Sequence, residues 1–341
     1  MKKKIAFIGA GFIAQICHLP IYSQIKGVNI VAICDKDLIL ARKVAKKFNI
    51  KNVYQNHIEM LNDQKNLDAI VLVVPRHNTF GVSKDILSKG INLFTEKPMA
   101  LSSKSAKKLI EISKRKKLKY VIGYMKRHDQ SVKFLKNILN KNKFNISKIN
   151  LINYNSYAGD SYANLRKHIK RNKEYRPNEI TPELHKAFSS KKNKLNFLKF
   201  LNTHSHAINL IRYLIGDISS VGIHANKKGE GSYLFKKNKI FVVLNTSYLK
   251  SKTWYENLTI VYNEYKILLS FPPPMLMNQP AKLSFIDLKT GNEFKKFTKW
   301  SWSFENQAKA FVKTISSKKY NSIVSGNDSI KDLNIIEKLF I

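Results

Sequence analysis

A chain of 341 residues, 43% hydrophobic and 11% aromatic, is long enough for two cores and too apolar for wholesale disorder. Its net charge of +38 suggests a nucleic-acid partner, but the lysines are spread over the whole length without an arginine-rich arm, zinc module or aromatic-basic motif, so none is expected. The expectation is instead a surface that attracts anions and a compact state weakened by self-repulsion at low salt.

Lys2 to Lys4 ahead of the apolar stretch 5–10 imitate a secretory leader, yet glycine punctuates the stretch and a βαβ pattern follows at once. Residues 4–8 are therefore predicted as a buried strand and 13–25, which contains Pro20, as a helix. A strand over 28–34 and a helix over 37–48 come next. Residues 68–74 (DAIVLVV) form the continuous apolar run of a parallel strand covered on both faces. Helix 81–88 leads to strand 91–95, and helix 103–115 leads to strand 120–122. This alternation predicts a doubly wound parallel sheet over residues 1–122.

After about residue 123 apolar and polar residues alternate, over 146–157, 220–225, 239–248, 257–262, 265–271 and 282–288. That pattern predicts an α+β domain over 123–341 with an open, largely antiparallel sheet, one face covered by helices over 204–215 and 304–315. The lysine-rich stretch 166–199 receives no assignment, and 329–340 is predicted as a last helix returning to the first domain. This second domain is expected to bind substrate and to carry oligomerisation, because an uncovered sheet face invites a second copy; a homodimer or homotetramer is expected. Cys17 and Cys34 make neither a disulfide framework nor a zinc spacing, so a reducing cytoplasm is the expected setting. No run approaches the roughly 18 apolar residues of a membrane span, and no membrane contact is expected.

Gly9-Ala10-Gly11-Phe12-Ile13-Ala14 follows the first strand and opens the first helix, the context in which G-x-G-x-x-A has a mechanical meaning. Gly9 permits the tight turn, Gly11 lets backbone approach a pyrophosphate, and Ala14 lets helix and strand pack closely. The helix start, with Phe12 and Ile13, offers free N–H groups to phosphate. Asp35 ends the second strand, where its carboxylate can accept hydrogen bonds from the adenosine ribose and repel a 2′-phosphate. NAD is the expected cofactor; Lys36, which offsets that repulsion, keeps NADP open.

Together with this Rossmann fingerprint, Glu96-Lys97-Pro98 after strand 91–95, Gly123-Tyr124-Met125-Lys126-Arg127, and a helix-opening His206 resemble the Gfo/Idh/MocA family of NAD(P)-dependent oxidoreductases. The resemblance implies hydride transfer between a nicotinamide and a secondary hydroxyl or ketone of a sugar, polyol or sugar derivative, one with anionic groups being compatible with the surface charge. It implies Lys97 and His206 as catalytic residues, Glu96 and Lys97 beside the cofactor, and Asn202, Tyr124 and Arg127 at the substrate, with Arg127 equally open to a structural role that pairs it with backbone or carboxylates. A cis bond at Pro98, usual in that family, would turn Lys97 toward the nicotinamide. Where many relatives have an aspartate four residues before the histidine, this chain has Asn202, and Asn209 also stands at a common aspartate position. The departure leaves a second reading open, a non-catalytic sugar-sensing regulator of the same fold. His204 and His206 form an H-x-H pair without an evident third ligand, so no metal is expected.

Overall fold

The computed structural model describes residues 2–139, 141, 144–161, 168–171, 182–185, 188, 190–226, 229–317 and 323–341. Contacts divide the chain into two compact units. The first comprises Met1–Tyr124, Arg166–Phe188 and Gln307–Ile330; the second comprises Met125–Leu165, Ser189–Asn306 and Lys331–Ile341. The boundaries fall inside two helices.

In the first unit, β1 (Lys3–Ile8), β2 (Val28–Cys34), β3 (Asn52–Tyr54), β4 (Ala69–Leu72), β5 (Asn92–Glu96) and β6 (Tyr120–Gly123) form a parallel sheet. Their order is β3-β2-β1-β4-β5-β6. Every residue of β4 is buried, as are Ile5 to Ile8 of β1, which is why both read as unbroken apolar runs. The order reverses at β1, and a crevice at the carboxyl ends of the strands flanking such a point is where ligands bind in sheets of this kind. Helices α1 (Leu19–Gln24), α2 (Leu38–Phe48), α3 (His57–Asp63), α4 (Arg76–Ser88) and α5 (Ser103–Arg115) connect the strands. Asp37 caps α2 by accepting from the Leu40 amide at 2.9 Å, and Ser102 caps α5 in the same way through the Ser105 amide at 3.2 Å. The helix predicted over 13–25 is not uniform: Ala14–His18 is a π-helical turn that hands over to α1, whose first turn contains Pro20. Proline has no N–H to continue a regular ladder, which accounts for the change of winding there. The edge strand β6 is closed by a late segment, with an antiparallel bridge from Val121 to Ser325 and the Ile122 amide donating to the Val324 carbonyl at 2.9 Å.

The second unit contains β7 (Leu151–Ala158), β8 (Ser219–Ala225), β9 (Gly231–Lys237), β10 (Ile240–Tyr248), β11 (Tyr255–Val261), β12 (Tyr265–Ser270), β13 (Lys282–Asp287) and β14 (Glu293–Lys296). They run β14-β13-β12-β11-β7-β10-β9-β8, with only β7 and β10 parallel. One face is buried through Ile152, Tyr154, Val242, Leu244, Leu258 and Ile260. The other presents Asn153, Asn155, Asn245 and Asn257. Asn245 Nδ2 donates to the side-chain oxygens of Asn153 and Asn155, both at 2.9 Å, and Asn155 Nδ2 donates to Asn257 at 3.0 Å. Helices α6 (Gln130–Ile138), α8 (Lys191–Thr203) and α9 (Ser205–Ile215) belong to this unit, while α7 (Pro182–His185) belongs to the first. Helices α10 (Ser303–Ile315) and α11 (Gly326–Lys338) pass from one unit into the other. Strands β3, β9 and β14 and helices α3, α6 and α8 were not expected from the sequence pattern. Among the described residues no helix is long and apolar enough to cross a membrane.

Candidate functional site

The glycine-rich loop runs from the end of β1 into the π turn. Gly9 has φ of +102°, and a Cβ there would lie 2.0 Å from the Val73 carbonyl oxygen, so only glycine fits. A Cβ on Gly11 would meet nothing within 4 Å. That open space beside backbone N–H groups at a helix start suits a pyrophosphate, and on this observation the loop fits a dinucleotide. Gln15 is buried and its Nε2 donates to the Ala10 carbonyl at 2.8 Å, holding the loop from beneath.

Asp35, also buried, stands at the end of β2. Its Oδ2 accepts from the Ala10 amide at 2.8 Å and its Oδ1 from the Asp37 amide at 2.9 Å. Arg171 adds a third donor, Nη2 to Oδ2 at 2.8 Å. The acid thus ties the loop to β2 and already carries a counter-ion before any ribose is considered. Arg171 lies in the stretch that received no assignment, 136 positions away in sequence, and nothing local could have paired it with Asp35. Cys34, next to Asp35, is held as a thiol, with its pKa pushed up to about 12 by burial first and the neighbouring carboxylate second.

Glu96 ends β5. Its Oε1 meets His18 Nε2 of the π turn at 2.8 Å, its Oε2 accepts from the Lys97 amide at 3.3 Å, and its carboxylate lies against Gly123, where a Cβ would be 3.1 Å away. The residue expected beside the cofactor is therefore engaged in joining the π turn, β5 and β6, which fixes the backbone that carries Lys97. Burial, reinforced by the Glu96 charge, raises the Cys17 thiol and the Tyr22 hydroxyl above their ordinary values. The Lys97–Pro98 peptide is cis, as the resemblance implied. Lys97 is half-buried just beyond the carboxyl end of β5, and Tyr124 is buried directly after β6.

The remaining expected residues lie in the second unit. Arg127 is buried; its Nε donates to Asn209 Oδ1 at 2.6 Å, its Nη2 to the Asn209 carbonyl at 3.2 Å, and its guanidinium covers the Tyr213 ring. Asn209 Nδ2 in turn donates to Asp332 Oδ2 at 2.6 Å, and Arg212 pairs with Asp332 Oδ1. This network holds Arg127 in the interior of the unit. Burial raises the Asp332 pKa to about 6, with Arg212 and Arg127 opposing that rise. Asn202 and His206 do not share one helical turn: Asn202 is exposed in the last turn of α8, His206 is half-buried as the second residue of α9, and the two helices meet at His204. His204 is a core residue, with Nδ1 2.9 Å from Ser156 Oγ and the rings of Phe200 and Tyr248 beside it. Among the described residues no group of three or more His, Cys, Asp or Glu is placed to hold a metal ion.

Sequence reasoning also missed a buried cluster around Glu256, which pairs with Lys126 and accepts from Tyr154 Oη at 2.6 Å and Trp254 Nε1 at 3.1 Å. Burial pulls the Lys126 ammonium below its usual value while the Glu256 charge opposes that fall. Lys126 sits in the quoted GYMKR stretch, but its partner lies 130 positions on.

Comparison with known proteins agrees with this geometry. The model of an oxidoreductase family with an NAD-binding Rossmann fold, Gfo/Idh/MocA, matches residues 3–124. Inositol 2-dehydrogenase from Salmonella typhimurium (strain LT2) is 26% identical over 141 residues, 41% of this chain and 42% of that protein. An inositol 2-dehydrogenase/D-chiro-inositol 3-dehydrogenase from Lacticaseibacillus casei is 29% identical over 143 residues, 40% of each chain. The match thus spans about two fifths of these relatives. A dehydrogenase (MviM) from Clostridium difficile shares the fold along 99% of both chains, with a TM-score of 0.76 at 19% identity. Residues 3–124 match the NAD-binding Rossmann domain of the Gfo/Idh/MocA oxidoreductases.

Proposed function

We propose that this chain is a nicotinamide-dependent dehydrogenase or reductase acting on a secondary hydroxyl or ketone of a sugar, polyol or sugar derivative. The observation that carries the reading is the open cradle at Gly11 beside Asp35, with Lys97 held just beyond β5 in the same unit. The family match and the inositol dehydrogenases among the relatives support the substrate class. When bound, the nicotinamide supplies the hydride acceptor or donor. Gly9, Gly11 and the amides at Phe12 and Ile13 would hold the pyrophosphate, and Asp35 would accept from the adenosine ribose hydroxyls. His206 takes or returns the hydroxyl proton, since an imidazole titrates near neutrality. Lys97 serves as a hydrogen-bond donor that stabilises developing negative charge on oxygen. Asn202 and Tyr124 orient the substrate by hydrogen bonds. Because Asn202 carries no charge, it neither accepts a proton nor stabilises an imidazolium, and more of the work falls to Lys97. A phosphorylated or otherwise anionic sugar suits the surplus of lysine, and a reducing cytoplasm suits the two buried free thiols.

The test is to mix purified protein with NAD and a panel of polyols, inositols and glycosides while following NADH absorbance. Turnover on one class, reduced about 10²- to 10⁴-fold in Lys97→Ala with dinucleotide affinity retained, is the expected result. Saturable dinucleotide binding with no turnover on any substrate would sink the enzyme reading in favour of a sensor.

A further inference from the structure

The four residues 168–171 lie across the glycine-rich loop and touch it at three points. The His168 ring stands edge-on to Phe12 with centroids 4.7 Å apart. The Ile169 amide donates to Gln15 Oε1 at 2.8 Å, and Gln15 Nε2 donates to the Ile169 carbonyl at 3.0 Å. Arg171 pairs with Asp35 at 2.8 Å. The segment therefore runs from the π turn, where a pyrophosphate would lie, to the end of β2, where the adenosine ribose would lie. The reciprocal amide pairing with buried Gln15 fixes its backbone. The guanidinium at its end keeps 29% of its side-chain surface exposed, so it can turn without unfolding anything.

Asp35 has about four acceptor sites on its two oxygens. The Ala10 amide, the Asp37 amide and Arg171 fill three of them. The two ribose hydroxyls of NAD ask for two sites, so Arg171 has to give way for both to be met. A 2′-phosphate presents the opposite case. A bare carboxylate repels it, but here the Asp35 charge is matched by Arg171, with Lys36 adjacent. Guanidinium binds phosphate through paired, charge-assisted hydrogen bonds.

We propose that Arg171 is a specificity-determining residue of the dinucleotide site, counter-ion to Asp35 in the free protein and ligand to the 2′-phosphate of NADP in the complex. The inference rests on the cofactor site proposed above and reverses the selectivity that Asp35 alone implies. Arg171 admits NADP where the acid would exclude it, and competes with NAD for the acid.

Direct binding titrations of NADH and NADPH, read by calorimetry on wild-type, Arg171→Ala and Arg171→Lys protein, test it without any need for turnover. In Arg171→Ala the affinity for NADPH should fall about 10- to 100-fold, the loss of a charge-assisted contact, while NADH binds as well as before or several-fold better. Arg171→Lys should retain part of the NADPH affinity, because the charge remains and the fork is lost. An unchanged ratio of the two affinities in Arg171→Ala, whether both fall together or neither moves, overturns the proposal, with a thermal melt confirming that the variant is folded. Failure of wild-type protein to bind either dinucleotide overturns the cofactor site itself, and the proposal with it.

Discussion

Gly9 and Gly11 stand two positions apart in one loop and answer to different demands. Gly9 satisfies the fold, through its positive φ and its close approach to Val73, whereas nothing in the protein needs Gly11 to lack a side chain. Gly9→Ala is therefore expected to lower the melting temperature by several degrees, the result of about 2 kcal/mol or more of strain and displacement. Gly11→Val is expected to leave the melt within a degree or two and to abolish NADH binding in titration. A Gly11→Val protein that bound NADH normally would remove the pyrophosphate from this loop. His128 carries a different kind of prediction. Its ring is wholly buried in the second unit, neither ring nitrogen has a hydrogen-bond partner, and burial, helped by Lys133 and Arg127, lowers its pKa to about 3. Unfolded histidine takes up its proton near pH 6.5 while the folded one resists until about 3, so stability is complete above 6.5 and drains away as pH falls across that window. His128→Phe should flatten the loss between pH 6.5 and 4 by about 1.4 kcal/mol per pH unit in urea melts. An unchanged slope would show that His128 is not the group responsible.

Two buried arginines are tied to Asp332 of helix α11, Arg212 directly and Arg127 through Asn209. Asp332→Ala removes the buried carboxylate from this network and leaves Arg212 only its pair with the exposed Asp217, and a loss of about 3 kcal/mol is expected in chemical denaturation. Asp332→Asn, which keeps the shape, should recover only part of it. Asn209, read as a departure from a common aspartate, is thus accompanied by a carboxylate arriving from another element. What the sequence made legible follows the same division between near and far. The loop from Gly9 to Ala14, the acid at the end of β2 and the Glu96-Lys97-Pro98 turn are contiguous or bound to strand ends, and their pattern survives in one dimension. Arg127 with Asn209 and Asp332, Lys126 with Glu256, and Arg171 with Asp35 are joined across 82 or more residues, and no periodicity announces them. Elements were hidden where lysine and asparagine dilute the apolar spacing. Helix α8 reads KKNKLNFLKFLNT, with Phe197, Leu198, Phe200 and Leu201 buried among polar neighbours, and β9 ends in the lysines of SYLFKK. Strands as short as β3 and β14 bury too little to leave an alternation.

At the scale of the whole molecule the distribution of charge matters more than its sum. Lysine and arginine make up 61 of 341 residues, yet Lys236 is the one charged residue among the outward positions of β7, β9, β10 and β11. Those positions hold the asparagine ladder, Leu234, Tyr157, and the exposed rings of Phe241 and Tyr255. Two strongly cationic copies could approach one another there without bringing many like charges together, so the homo-oligomer expected from the sequence would pair through this face. Phe241→Lys or Asn155→Lys should shift the protein toward monomer in sedimentation velocity, and more so at low salt, with the fold intact by circular dichroism. Unaltered assembly in both variants would move the interface elsewhere. The way the chain threads between its two units has a consequence for its synthesis. Strand β6 waits for Val324 and Ser325 to close its edge, and Arg127 and Arg212 wait for Asp332. Neither unit is complete while residues beyond about 320 are still within the ribosome. The nascent chain cannot finish its first domain before starting its second, and it emerges with an open strand edge that a chaperone would have to shield until translation is almost over.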